Sequence, residues 1–262
     1  MMHKRLQHEL VLGGVARNAA PSESMSGKIF SATRRTSQML KNDVNVIKRK
    51  GINFLQKNGS TIKFKPWLGD LFSFVYDSIM KNSIFPKKFE ASIEKHLQFL
   101  GTEYKDIHNS YVLELATGSG NLSKILPSDN DFAGVDISEG LLKIAHRNFT
   151  NSGFKNFELF LCGADKLPFE DDCFDISICN LSLNFFPDLP KAINEIKRTL
   201  RKQGVFICSV PVPERNKKQS VIRGKLYSEN DLKGMFEGNS FSFIPYDFEN
   251  GALLYFKAIS KR

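Results

Sequence analysis

Residues 112–123, Val-Leu-Glu-Leu-Ala-Thr-Gly-Ser-Gly-Asn-Leu-Ser, restrict the architecture more than any other stretch. An apolar run of strand character ends in a tight turn at Gly118 and Gly120. Asn121 to Leu126 then takes up helical spacing. This is a strand-turn-helix cradle, in which glycines let the backbone approach a ligand and the first helical N–H groups face it. About twenty residues on, Phe132-Ala-Gly-Val-Asp-Ile137 reads as a second apolar strand ending in a carboxylate, spaced to take the ribose hydroxyls of an adenosine.

A dinucleotide fingerprint wants Gly or Ala at its third position for helix-strand packing, and this chain has Ser123 there. That argues against a nicotinamide enzyme, which remains a distant third reading. The segment instead resembles motif I of the class I S-adenosylmethionine-dependent methyltransferases, of the type 11 kind: an acidic residue followed by Gly-x-Gly-x-Gly. The matching residues are Glu114, Ala116 in place of the first glycine, Thr117, Gly118 and Gly120. The resemblance runs from about Tyr111 to Ile259. It implies an α/β, doubly wound, Rossmann-like sheet of seven strands, mostly parallel with the last antiparallel, preceded by lid helices.

It also implies S-adenosyl-L-methionine as cofactor and a role for each matching position. The Ala116–Gly120 turn would take the methionine portion, Asp136 the ribose, and Ile137 one face of adenine. Ala164 and Asp165, in Gly163-Ala-Asp-Lys-Leu-Pro-Phe169, would lie by the adenine amine, and Asn180 and Leu181 beside the sulfonium. In Leu181-Ser-Leu-Asn-Phe-Phe-Pro-Asp188, where the methyl should emerge, many relatives carry histidine. This chain has Asn184 and Phe185, candidates for acceptor contact but not for a histidine base, so no catalytic residue is assigned. Tyr76-Asp77 bears a looser resemblance to the Tyr-Asp pair of the ubiquinone/menaquinone biosynthesis C-methyltransferases, which adds Tyr76 to the acceptor contacts. Methyl transfer of this kind is an in-line displacement needing chiefly alignment and exclusion of water. Phe185, Phe186 or Tyr76 could add a cation-π attraction of roughly 0.5–2 kcal/mol.

Charge separates the acceptor classes. Of the chain's 37 basic and 28 acidic residues, residues 1–66 hold 13 and 3, which leaves 24 and 25 for the remainder. A neutral folded domain argues against a nucleic-acid partner and favours a small-molecule or lipid-like acceptor, with a phenol or quinol as the first choice. The alternative is a non-catalytic binding or assembly protein that keeps the fold. Cys162, Cys173, Cys179 and Cys208 show no Cys-x-x-Cys spacing, and the five histidines form no cluster with them, so no metal is expected. The most apolar stretch, Trp67 to Phe85, is interrupted by Asp70, Asp77 and Lys81, too charged to span a membrane.

Three segments are expected. Residues 1–65, rich in Ser, Arg, Asn and Lys, read as a disordered basic leader with helical turns near Met39–Ile47 at most. The chain is read as cytoplasmic, or as mitochondrial if residues 1–40 are a targeting segment. Residues 66–108 read as a helical lid, one helix ending at Pro86 and a second running from Phe89 to Leu100 and stopping at Gly101. Residues 109–262 form the methyltransferase domain, in which Ser138 and Ser228 are placed to cap helices, the latter with Asp231 as the acid of a capping box. Oligomeric state is not legible.

Overall fold

The computed structural model describes residues 39–64 and 75–262. The chain enters the described region inside the core: Met39 is buried, Lys41 N–H donates to the Pro168 carbonyl and Glu170 N–H to that of Met39. Two tight hairpins follow. Strand β1 (Asn45–Arg49) turns through Lys50 and Gly51 into β2 (Ile52–Lys57), which turns through Asn58 and Gly59 into β3 (Ser60–Thr61). Both loops have positive φ at both residues (50° and 80°, then 52° and 74°), the geometry whose twist matches paired antiparallel strands.

These strands correct the expectation of a disordered leader through residue 65 and of helical turns near Met39–Ile47. Ile52 to Leu55 is buried, β2 pairs in parallel with β6 (Phe157–Leu161), and buried Asn53 donates to the Leu159 carbonyl at 3.2 Å. An apolar run beside an open sheet edge removes both its side chains and its backbone from water, which outweighs the basic composition around it. The readings of residues 1–38, and the expected lid helix where it falls on residues 65–74, lie outside the described residues.

The remaining strands are β4 (Tyr111–Leu115), β5 (Asp131–Asp136), β7 (Phe174–Asn180), β8 (Leu200–Pro211), β9 (Phe241–Pro245) and β10 (Leu253–Ser260). All ten strands join one sheet in the order β1-β2-β6-β5-β4-β7-β8-β10-β9, with β3 against β2. The expected seven run from β6 to β9, and β1 to β3 extend them. Pairing is parallel from β2 to β8, and β10 is antiparallel to both β8 and β9.

Helices cover both faces. Successive strand residues divide between two cores, Leu113, Leu115 and Val135 in one and Val112, Phe132 and Leu159 in the other, as strands buried on both sides must. The first core is closed by α4 (Leu189–Thr199) and α5 (Glu229–Gly238), the second by α2 (Ile93–Tyr104) and α3 (Glu139–Asn151). Ser138 caps α3, and Ser228 with Asp231 forms the expected capping box of α5. Caps of this kind are each worth about 1 kcal/mol.

Three local expectations are revised. Pro86 lies within a π-helical stretch, Met80–Phe89, that continues the short helix α1 (Tyr76–Ile79), and the left-handed Glu90 (φ 54°) ends it. Helix α2 starts at Ile93, with Ser92 as its cap, and runs past Gly101 because fully buried Tyr104 holds its last turn on the sheet. The helix expected at Asn121 is a single 3-10 turn, Asn121–Lys124. Pro127 disfavours helical backbone at Leu126 and so leaves no room for an α-helix. Among the described residues no helix is long and apolar enough to cross a membrane.

Candidate active site

Strands β4 and β5 run side by side and bring the turn after β4 against the tip of β5. There Gly118 N–H donates to Asp136 Oδ2 at 2.9 Å and Ser138 N–H to Oδ1 at 2.8 Å. One carboxylate thus holds the glycine turn and the entry to α3 in register. The two glycines serve different ends. A Cβ on Gly120 (φ 75°) would lie 2.8 Å from Ala145 Cα in α3, so this residue is small because a helix packs on it. A Cβ on Gly118 (φ 55°) would meet only the Ala116 carbonyl, at 3.9 Å, and would otherwise project into open space. Ala116 is left-handed as well (φ 52°), a conformation glycine adopts without the roughly 1–2 kcal/mol that a Cβ adds.

Two cavities flank the turn. The first, about 370 Å³, reaches from Glu114, Thr117, Asn180 and Leu181 to the inner sides of α1 and α2. The second, about 440 Å³, takes in Asp136, Ile137, Ala164, Asp165 and Phe185. Tyr76, Ala116, Gly118 and Ser182 line both. Glu114 and Asp136 thus face two adjoining chambers, with Tyr76 and the turn on their common boundary. Each is in the range of small-molecule sites.

The electrostatics of the chambers differ. Glu114 is buried, and burial pushes its carboxyl up to about 8. The Thr117 hydroxyl, which donates to Oε2, opposes that rise, and the charge of Asp136 adds to it. Burial first, then Asp136 and Asp77, push the Tyr76 phenol up to about 12. Asp165, half-exposed, is 3.7 Å from Lys191 Nζ. Asn180 Oδ1 accepts from Ser209 Oγ at 3.1 Å, which orients its side chain beside the first chamber. Leu181 (φ 59°) is held by its N–H on the Ser209 carbonyl at 2.8 Å.

Asn184 is a correction: it lines neither chamber. It is buried, its Nδ2 donates to the Arg223 carbonyl at 2.6 Å, and its own carbonyl accepts Lys225 N–H at 2.8 Å. The 3-10 turn Leu183–Phe185 rotates it inward and leaves the Phe185 ring at the surface.

Three other residues belong to the site. Phe64, at the end of the hairpin segment, lines the second chamber. Asp77 Oδ1 accepts from Ser119 Oγ at 2.7 Å and from Asn121 Nδ2 at 3.0 Å, fastening α1 to the turn. His96 lines the first chamber from α2. For Phe64 the Asn58-Gly59 pair was the available signal, since it marks a hairpin that returns the chain to the sheet. Nothing local marks His96.

The residues fit an adenosyl cofactor. The second chamber offers a carboxylate fixed at a strand tip, an apolar face at Ile137 that is 41% exposed, and a second acid at Asp165. Gly118, with open space where a Cβ would stand, lines both chambers.

Comparison with known proteins bears on the family and on the fold. Residues 108–248 match the family model described as a methyltransferase domain. The chain is 30% identical over 145 residues to the ubiquinone/menaquinone biosynthesis C-methyltransferase UbiE of Rickettsia felis, covering 52% of this chain and 53% of the relative. It thus spans about half the length of the curated relatives it matches. In fold it is similar to the YcgJ protein of Bacillus subtilis (TM-score 0.56, 16% identity, 64% of this chain and 99% of that one). It is likewise similar to a SAM-dependent methyltransferase from Aquifex aeolicus (TM-score 0.53, 18% identity, 75% and 98%).

Proposed function

Because this chain belongs to the class I S-adenosylmethionine-dependent methyltransferases, we propose that it methylates a small aromatic acceptor of the phenol or quinol type, at ring carbon or oxygen. The bound cofactor would supply an activated methyl on a sulfonium, whose displacement leaves a neutral thioether and needs no metal. The observation that carries the reading is the pair of chambers meeting at Tyr76, Ala116, Gly118 and Ser182. One is suited to an adenosine. The other is bounded on its α1 and α2 side by Met80, Phe85, Ile93, Leu97 and Leu100, with polar residues between them.

In this reading Asp136 holds the ribose, while Ile137, Ala164, Asp165 and Phe64 enclose the adenine. The Ala116–Gly118 backbone and Thr117 border the methionine portion, with Glu114 beneath them. Asn180 and Leu181, whose backbone is pinned by Ser209, set the floor where donor and acceptor align. Tyr76 and Phe185 stand at the rim. The lid excludes water, since Asp77 ties it across the turn. The name of the Rickettsia relative, a C-methyltransferase of ubiquinone/menaquinone biosynthesis, supports a quinol as acceptor.

The test is turnover with methyl-labelled S-adenosylmethionine and a methoxy-substituted hydroquinone. Formation of S-adenosylhomocysteine together with a methylated ring product is expected, and NMR of the product separates carbon from oxygen methylation. Cofactor binding without turnover on any phenol or hydroquinone of a graded panel would overturn the acceptor assignment.

A further inference from the structure

His96 stands in the wall of the first chamber with no part in the chemistry described above. It is 4% exposed, lies 5.2 Å from the Phe85 ring, and its Nδ1 is 2.9 Å from the Tyr255 hydroxyl. The proton positions follow from what lies behind Tyr255. Asn250 accepts Ser92 N–H through Oδ1 at 2.8 Å, and Nδ2 donates to the Ser92 carbonyl at 2.9 Å. Its amide cannot be turned round without losing both bonds. Nδ2 therefore also donates to the Tyr255 oxygen, at 3.1 Å. Among the described residues His96 Nδ1 is the one acceptor within reach of the Tyr255 hydroxyl, whose other partner is the Asn250 donor, so the hydroxyl directs its hydrogen to Nδ1.

An imidazole that accepts at Nδ1 and is neutral carries its hydrogen on Nε2. Burial keeps it neutral, pushing its pKa down to about 4. Among the described residues Nε2 has no hydrogen-bond partner, and the ring borders the chamber between Phe85, Ile93 and Leu100. Nε2 is not among the side-chain atoms sealed from solvent, so a ligand oxygen that accepts from it is favoured over an apolar group, which would bury that donor unpaired.

We propose that the lid side of the first chamber is a recognition pocket for a flat apolar ring bearing an acceptor oxygen, read by the Nε2–H of His96. The Ser92–Asn250–Tyr255 chain serves to fix the tautomer that donates. The inference deepens the acceptor reading, and rests on it only in taking the ring so held to be the one methylated. It assigns His96 to specificity, for a carbonyl, ether or phenol oxygen against a hydrocarbon of the same shape.

The probes are 2-methoxynaphthalene and its hydrocarbon counterpart 2-ethylnaphthalene, titrated into the full chain with S-adenosylhomocysteine present. The quantity read is the ratio of their affinities. In His96→Phe, which keeps an aromatic ring, this ratio should shift against the ether by about three- to tenfold, the net worth of one hydrogen bond. Tyr255→Phe should lower it as well, and long-range nitrogen NMR of the wild type should show neutral His96 protonated at Nε2. An unchanged ratio in His96→Phe, or an Nδ1-protonated ring in the wild type, overturns the proposal. If His96→Phe does not fold, Tyr255→Phe and the tautomer decide. Failed turnover with the ratio effect intact sinks the methyl-acceptor reading and leaves the pocket standing.

Discussion

The backbone N–H of Gly118 donates to Asp136 Oδ2 at 2.9 Å, so the strand-tip acid that faces the second chamber also holds the turn of the neighbouring strand in shape. Asp136→Asn keeps the size but replaces one acceptor oxygen with a donor, against two N–H groups that both need acceptors. A loss of about 1–3 kcal/mol of stability is expected in denaturant titrations. Titration calorimetry should show S-adenosylmethionine affinity falling at least about tenfold, since removing one charged hydrogen-bonding partner costs about 1.5–3 kcal/mol. Unchanged affinity would remove Asp136 from the cofactor site.

Gly118 and Gly120 should fail differently. Gly120→Ala drives a methyl group into Ala145 of α3 and strains a left-handed backbone, so it should cost several kcal/mol, in the range of overpacking plus strain, and lower Tm sharply. Gly118→Ala meets no side chain and should cost only about 1–2 kcal/mol, while its new methyl projects into the space that both chambers border. Its effect should appear in cofactor affinity. The reverse pattern would show the two positions to be misassigned.

The pH dependence of stability has a definite sign. Glu114 is held up to about 8 when folded, against an unfolded value of 4.5. Between those values the folded state binds the extra proton, so stability is fullest below about 4.5 and is lost as pH rises toward 8. His96 works the other way, because its folded value is depressed to about 4: its contribution is present above 6.5 and lost as pH falls through 4. Below 6.5 the two oppose each other; from 6.5 to 8 the Glu114 slope stands without that opposition. Urea titrations across this window should show wild-type stability declining by up to about 1.4 kcal/mol per pH unit. Glu114→Gln should flatten the decline. An equal slope in the variant would place the titration elsewhere.

Asp77 joins α1 to the turn through Ser119 and Asn121 at an exposed position. Asp77→Ala should therefore change stability by less than about 1 kcal/mol, yet speed cofactor release, because the lid loses its fastening. Stopped-flow dissociation of S-adenosylhomocysteine measures it. A stability loss with an unaltered release rate would make Asp77 a packing residue only.

Local signals carried the central part of this protein. The strand-glycine turn at residues 112–120, the acid at Asp136 and the caps at Ser138 and Ser228 all depend on backbone preferences within a few residues, and they appear where their spacing places them. Asn58-Gly59 was equally local and marks a real hairpin, but a basic, polar surround concealed it. Composition describes how a segment meets water, whereas an open parallel edge at β6 can recruit it through backbone pairing.

Orientation is what no local signal contains. Whether Asn184 or Phe185 turns inward depends on the Arg223–Lys225 backbone lying alongside, some forty residues on by the count of the hydrogen bond at Asn184 (39). Which nitrogen of His96 bears the hydrogen depends on Tyr255, 159 residues away. The chain alone thus determined a nucleotide-type cradle and its family, because periodicity and turn chemistry are short-range. Only the tertiary structure decided that the hollow is two chambers and which side chains face them, because burial and hydrogen-bond partners are supplied by segments distant in sequence.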